Sequence, residues 1–260
     1  MIILLHSSKT MRFVRDERVR LTRPLLLEKA QELGTYLKTL SPQQLAKAMK
    51  LSPALAEKTH ALIAAWTTEP EQQSLAIDSF IGDIYSGLHA SDLPADDRDY
   101  ANETLRILSG LYGLIRPYDG IFPYRLEMGY RLPDPAFANL YTFWGDSIAA
   151  CLPAEGPVIN LAAEEYSKTV TRFVDPARVW TPRFLTVNPK SGRPEFVVVH
   201  AKIARGAFAR WLITERIQDV SALTQFAEIG YRFASDLSAA GSPTFVCETF
   251  QGKGLSIRLQ

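Results

Sequence analysis

LSGLYGLIRPYDGIFPYRLEMG, residues 108–129, sets two glycines three apart at Gly110 and Gly113. Two arginines beside prolines, Asp119 and Glu127 follow within the next fourteen positions. Two local readings fit the glycines. Either they stop a helix spanning 94–109, as glycine does where a helix ends in a left-handed residue, or they form a tight turn whose backbone N–H groups approach an anion. Arg116 and Arg125 can each offer a planar fork to a phosphate, or pair with Asp119 and Glu127. Which reading holds decides whether this stretch is a ligand loop or a packing corner.

Outward from it, the chain alternates helical and strand patterns. MIILL (1–5) is an apolar run of strand length and is expected to open a central sheet. RPLLLEKAQELGTYLKTL (23–40) has helical spacing. Two Ser-Pro starts follow. Ser41-Pro42 with Gln44 predicts a capping box, and Ser52-Pro53 a second capped helix. Residues 71–86 and 94–109 also read as helices, and Tyr141, Trp144, Ile148 and Cys151 share one helical face in NLYTFWGDSIAACL (139–152). Beyond residue 157 strands dominate: PVINLA, RFLTV, EFVVVHAK, YRFAS and PTFVCETF. NPKSGRP serves as a hairpin turn and GAFARWLITERI as an interrupting helix. With no linker and no repeat, the expectation is an α+β fold: one domain over residues 1–260, a mixed β-sheet flanked by helices.

Composition narrows the chemistry. No apolar run reaches the eighteen or so residues that a spanning helix needs, and MIILL lacks a basic flank and breaks at His6, so neither membrane span nor leader is expected. Cys151 and Cys247 lie in apolar surroundings without metal-like spacing, which fits free thiols in the cytoplasm. The four histidines are scattered, and neither a GxGxxG, a Walker sequence nor a GxSxG elbow is present; no metal and no cofactor is expected. Net charge is only +1, but residues 168–216 hold ten Lys and Arg against three acids, and residues 9–29 hold seven against three. Two basic segments in a near-neutral chain can make a polyanion-binding face.

Six blocks then carry a resemblance: FIGDIYSGL (80–88), LRILSGLYGLIRPYDGIFPYRLEMGYRL (105–132), LYTFWGD (140–146), VINLAAEEYSKTV (158–170), AKIARG (201–206) and GYRF (230–233). In order and spacing the chain resembles the YaaA family, bacterial proteins tied to peroxide stress. The resemblance implies a cytosolic protein that binds DNA and limits oxidative, iron-dependent damage, with a basic cleft and a helix-hairpin-helix-like element built on Gly110-Leu111-Tyr112-Gly113. It departs from the family in His6-Ser7-Ser8 where Ser-Pro-Ala is usual, and in Ile229 where a glutamate usually precedes Gly-Tyr.

The resulting expectation is sequence-tolerant binding of duplex or distorted DNA through phosphates. The contact set is Lys9, Thr10, Gly110, Tyr112, Gly113, Arg116, Arg125, Lys168, Lys202 and Arg205. An enzymatic alternative, hydrolysis or lysis of an N-glycosidic bond in a nucleobase, nucleoside or nucleotide, would rest on Glu127 or Asp146. A second alternative is a non-catalytic regulator of iron acting through a protein partner.

Overall fold

Ile2, Ile3, Leu4 and Leu5 are all buried, so the opening strand Ile2–His6 has both faces covered, as an unbroken apolar run requires of a central parallel strand. The computed structural model describes residues 1–256. In it this strand runs parallel to Leu105–Ser109 on one side and to Val158–Asn160 on the other, with Val179–Trp180 parallel beyond. Gly113–Ile115 closes the opposite edge antiparallel, making five strands among the described residues. A second, mixed sheet orders Pro194–Glu195, Arg183–Val187, Thr244–Cys247 and Tyr231–Phe233. One cluster of buried side chains runs through the whole assembly, from Ile3 and Leu5 to Phe208 and Phe245.

Three consecutive helices, Leu27–Lys38, Pro42–Met49 and Pro53–Ala65, follow the opening strand, and the predicted capping box is present. The Gln44 N–H donates to Ser41 Oγ at 3.2 Å and the Ser41 N–H to Gln44 Oε1 at 2.8 Å. Ser52 caps its helix through the Leu55 N–H at 3.4 Å. The hairpin predicted at NPKSGRP is also there, joining Arg183–Val187 to Pro194–Glu195.

Several expectations change. Residues 71–86 are not one helix: they divide into strand Ser74–Leu75, a single turn Ala76–Ser79, strand Phe80–Ile81 and helix Asp83–Leu88. The Ser74 hydroxyl bonds the backbone of Val14 and Ser79 Oγ donates to the Leu75 carbonyl, so local side chains compete with a helix while distant strands pair at both ends. Helix 94–109 stops at Thr104, because Leu105–Ser109 is taken into register with the opening strand. In 139–152 only Leu140–Trp144 is α-helical; Gly145, at φ +53°, turns the chain before a short turn at Ala149–Cys151. EFVVVHAK does not continue as a strand, since Val198 already begins the long helix Val198–Thr214, whose Ala201, Ala204, Phe208 and Leu212 are buried.

The largest change falls on the opening stretch. Gly110–Gly113 joins two antiparallel strands, so it is a β-hairpin corner rather than a helix-hairpin-helix, and no helix ends at Gly110. Tyr112 is fully buried; its hydroxyl accepts the Trp66 indole N–H and the Phe122 N–H, each at 2.9 Å. The Gly110 carbonyl accepts the Trp144 indole N–H at 3.1 Å. Gly113 sits at φ +69°, and a Cβ there would lie 2.8 Å from the Trp144 ring. This is a packing corner.

Candidate functional site

Chain order places the site. From the opening strand the sheet grows one way to Leu105–Ser109 and the other way to Val158–Asn160, so the order reverses beside Ile2–His6. In such sheets the crevice outside the carboxyl ends at the reversal is where ligands bind. Here the segments leaving those ends, His6–Thr10 and the one containing Ala163, Glu165 and Tyr166, wall a cleft of about 480 Å³. Helix Asp83–Leu88, Glu127, Lys202 and the segment Leu255–Ser256 complete it.

Its polar groups are closely organised. Lys9 Nζ lies 2.8 Å from Glu127 Oε2, with the lysine side chain half exposed and the carboxylate mostly covered. Arg125 backs this pair, its Nη1 donating to the Lys9 carbonyl at 3.4 Å. Glu165 Oε1 accepts the Gly129 N–H at 2.7 Å. Asp83 holds Ser256 by its backbone N–H at 3.0 Å and its hydroxyl at 2.9 Å. Ser8 Oγ donates to the Ile81 carbonyl, fixing the turn after the first strand. Behind the pair the hydroxyls of Tyr124 and Tyr166 face Ser7, and Tyr124 also meets Ser109 Oγ at 2.6 Å. Burial pushes the Tyr124 hydroxyl up to about 12 and raises Tyr166 further still, so both remain protonated donors at any working pH.

His6 joins the two walls. Its Nδ1 accepts the Ala163 N–H at 3.1 Å, its ring stacks on Tyr166 at 4.9 Å, and its carbonyl accepts the Tyr85 hydroxyl at 2.9 Å. Burial first, then the charges of Arg205 and Lys202, lower this imidazole from its ordinary 6.5 to about 3. The unfolded chain therefore takes up a proton that the folded chain refuses. Stability is full above pH 6.5 and falls as pH drops toward 3. On going from pH 7 to 5.5 this group is expected to remove on the order of 1 kcal/mol. Asn at position 6 keeps an acceptor for the Ala163 N–H without titrating, so urea midpoints of His6→Asn should decline less over this interval than those of the parent. Parallel declines would show that His6 is not the group responsible.

A second hollow of about 680 Å³ adjoins the cleft and shares Glu127 and Glu165 with it. Lys47, Lys50, Tyr130 and Arg131 line it. None of these was singled out from the sequence. Lys47 and Lys50 belong to the end of helix Pro42–Met49, some eighty residues from Glu127, and no local signal links them; Tyr130 and Arg131 directly follow Glu-Met-Gly and were within reach of the motif. Tyr85 likewise carried no mark beyond lying in a matched block, and His6 and Ser7 none beyond their departure from the family's usual opening.

The expected contact set divides. Lys9, Thr10, Lys202 and Glu127 line the cleft, and Arg205 lies near His6. Arg205 has no hydrogen-bond or carboxylate partner among the described residues, and burial lowers its guanidinium from the ordinary value. Lys168 sits over the Tyr141 ring at 4.1 Å, and the Tyr141 hydroxyl donates to the Glu165 carbonyl, which places this lysine beside the cleft wall. Gly110, Tyr112 and Gly113 are in the core, and Arg116 is committed to fully buried Asp119. Asp146 lines a separate hollow with Leu152, Gly156 and Phe173, so it does not meet Glu127; Glu165 is the carboxylate that does. Ile229 lines a different hollow near Gly230 and Arg232, away from the cleft lining.

Nor is the cleft a basic groove: Asp83, Glu127 and Glu165 share it with Lys9 and Lys202. Many cations of the two basic segments serve structure instead. Arg178 donates to the carbonyls of residues 153–156, Arg210 to Leu88 and His89, Arg216 pairs with Asp97, and Lys29 donates to the Phe143 carbonyl. Among the described residues no cluster of His, Cys, Asp and Glu is arranged to hold a metal ion, and no helix is long and apolar enough to cross a membrane.

Residues 1–237 match the family described as peroxide stress protein YaaA. A UPF0246 protein of Salinispora tropica is 62% identical over 258 residues, covering 99% of this chain and 98% of the relative. UPF0246 proteins of Ralstonia nicotianae and Burkholderia lata are 42% and 40% identical, covering 92% and 95% of this chain and 95% and 97% of the relatives.

Proposed function

This chain belongs to the peroxide stress protein YaaA family, and from that premise we propose that it binds DNA in the cytoplasm during oxidative stress, admitting one nucleotide at a time to the cleft. The observation that carries this reading is the separation of charge. Exposed Lys47, Lys50 and Arg131 form a cationic rim on one side, while half-buried Glu127 and Glu165 and buried Tyr166 line the deeper part. A phosphate backbone is attracted by the rim and repelled by the interior. A base or sugar is the part of DNA that carboxylates and hydroxyls can accept from and donate to. A cleft of about 480 Å³ falls in the roughly 300–1,000 Å³ range of sites for small ligands, so a duplex lies across the mouth while a single extruded nucleotide enters.

Binding is then expected to tolerate sequence and to weaken steeply with salt, by about 0.9 logarithmic units per neutralised phosphate. Duplexes carrying a mispair or a gap should bind more tightly than intact ones, because unstacking costs least there. Removing Lys47, Lys50 and Arg131 together should lower the salt slope by about two to three contacts. Titration of labelled duplexes at several salt concentrations tests both points. A flat salt response, or equal affinity of the triple variant, would count against the rim.

A second reading has one observation of its own. Glu127 and Glu165 both face the place where the two hollows join, which is what acid–base work on an N-glycosidic bond needs. It predicts release of free base, where binding alone predicts none.

A further inference from the structure

We propose that Lys9 is an imine-forming nucleophile for the ring-opened aldehyde of abasic deoxyribose in DNA, making the protein an abasic-site lyase. The proposal rests on the DNA-binding reading of the same cleft and names the damaged nucleotide that the cleft takes.

Four features single out Lys9. Its amine lies inside the nucleotide-sized cleft, in direct contact at 2.8 Å with a carboxylate, and both groups remain partly open to solvent. Lys202, the other lysine lining the cleft, has no carboxylate partner among the described residues, so the amine–carboxylate couple belongs to Lys9 alone there. Lys9 is half exposed, and water there screens its attraction to Glu127, so folding does not rest on the pair. The backbone beneath it is fixed, since Thr10–Met11 pairs with Phe80–Ile81 and Arg125 reaches the Lys9 carbonyl. The substrate suits the cleft as well: an abasic sugar has no base to unstack and no bulk to exclude, so it enters a polar cleft more readily than an intact nucleotide does.

The chemistry balances with the groups present. The Lys9 ammonium gives a proton to Glu127, and the free amine adds to the C1′ aldehyde, forming the N–C bond of a carbinolamine. Glu127 returns its proton to the departing hydroxyl, water leaves, and a protonated imine remains. Glu127, again a carboxylate, removes a proton from C2′. The electron pair left behind expels the 3′-phosphate from C3′, breaking the strand without any redox change. Water then hydrolyses the unsaturated imine, freeing the Lys9 amine and an unsaturated aldehyde on the 5′ fragment.

The test uses the full chain and a labelled duplex with one abasic site, made by excising uracil. With borohydride present at saturating duplex, a covalent protein–DNA adduct is expected, and peptide mapping should place it on Lys9. Without borohydride the strand should be cut 3′ of the site. Lys9→Arg keeps the positive charge but lacks a primary amine, and should give no adduct while melting like the parent. Glu127→Gln should slow both trapping and cutting by about 100-fold. Adduct scattered over surface lysines, or unchanged in Lys9→Arg, overturns the proposal. A protein that binds the duplex but is not trapped overturns the lyase alone, whereas absence of any DNA binding removes the binding reading with it.

Discussion

Replacing Gly206 by alanine is expected to cost about 4 kcal/mol or more, a large share of the roughly 5–15 kcal/mol by which a native chain is stable. Helices Asp83–Leu88 and Val198–Thr214 meet backbone to backbone. A Cβ on Gly206 would lie 1.8 Å from the Ile84 carbonyl oxygen, and one on Gly87 would lie 2.0 Å from that of Ile203. Neither neighbour is a flexible side-chain end that can swing away. Within a helix alanine is otherwise the better residue by about 1 kcal/mol, so the propensity gain is far smaller than the clash. The consequence reaches the site. Asp83 and Tyr85 stand on one of these helices and Lys202 and Arg205 on the other, so separating them by even a methyl group opens that wall of the cleft. Urea denaturation of Gly206→Ala beside the parent measures the effect. A midpoint unchanged within error would show that the helices do not touch as described.

How far the sequence could reach is visible in the same elements. The Ser-Pro starts at Ser41 and Ser52 are local devices, satisfied within four residues, and they were legible. So was the strand Ile2–His6, whose apolar run needs no partner to be recognised. Leu105–Ser109 was not: LRILS continues a helical pattern as readily as it pairs, and only the register with Ile3–His6 decides. Val197-Val198-Val199 misled through β-branching, while the buried face of Ala201, Ala204 and Phe208 carried the helix upstream. At the site, Lys9 just past the first strand, and Lys202 and Glu127 within matched blocks, were marked in the sequence and do line the cleft. Counting charge along the chain gave the opposite lesson. It could not distinguish Lys202, which lines the cleft without a partner among the described residues, from Arg178 or Arg210, whose guanidinia satisfy backbone carbonyls. Where a cation's hydrogen bonds go is a property of the fold.

Arg116→Ala is expected to lose about 3–5 kcal/mol of stability, and any loss of DNA binding should follow from unfolding. Asp119 has no exposure, and its carboxylate lives on four donations: the Thr22 hydroxyl at 2.6 Å, the Arg116 backbone N–H at 2.8 Å, and Arg116 Nη2 and Nε at 2.9 and 3.1 Å. Arg116 Nη2 also donates to the Arg23 carbonyl at 2.9 Å, which ties the segment before the first helix to this turn. Truncating the arginine removes the only countercharge among the described residues that contacts the carboxylate and leaves two neutral donors on a buried anion. The penalty is that of an unpaired charge, larger than the worth of the pair itself. Adding Asp119→Asn to Arg116→Ala removes the anion, so the double variant should be more stable than Arg116→Ala alone, with a coupling of about 2 kcal/mol. Thermal melts and duplex titrations on the three variants separate the possibilities. If Arg116→Ala melts with the parent yet no longer binds DNA, the fork serves a phosphate and the ion pair is incidental. If it melts early and the double variant recovers, the quoted stretch is a structural corner from Gly110 through Asp119, and nucleic acid is left to the cleft beside Lys9.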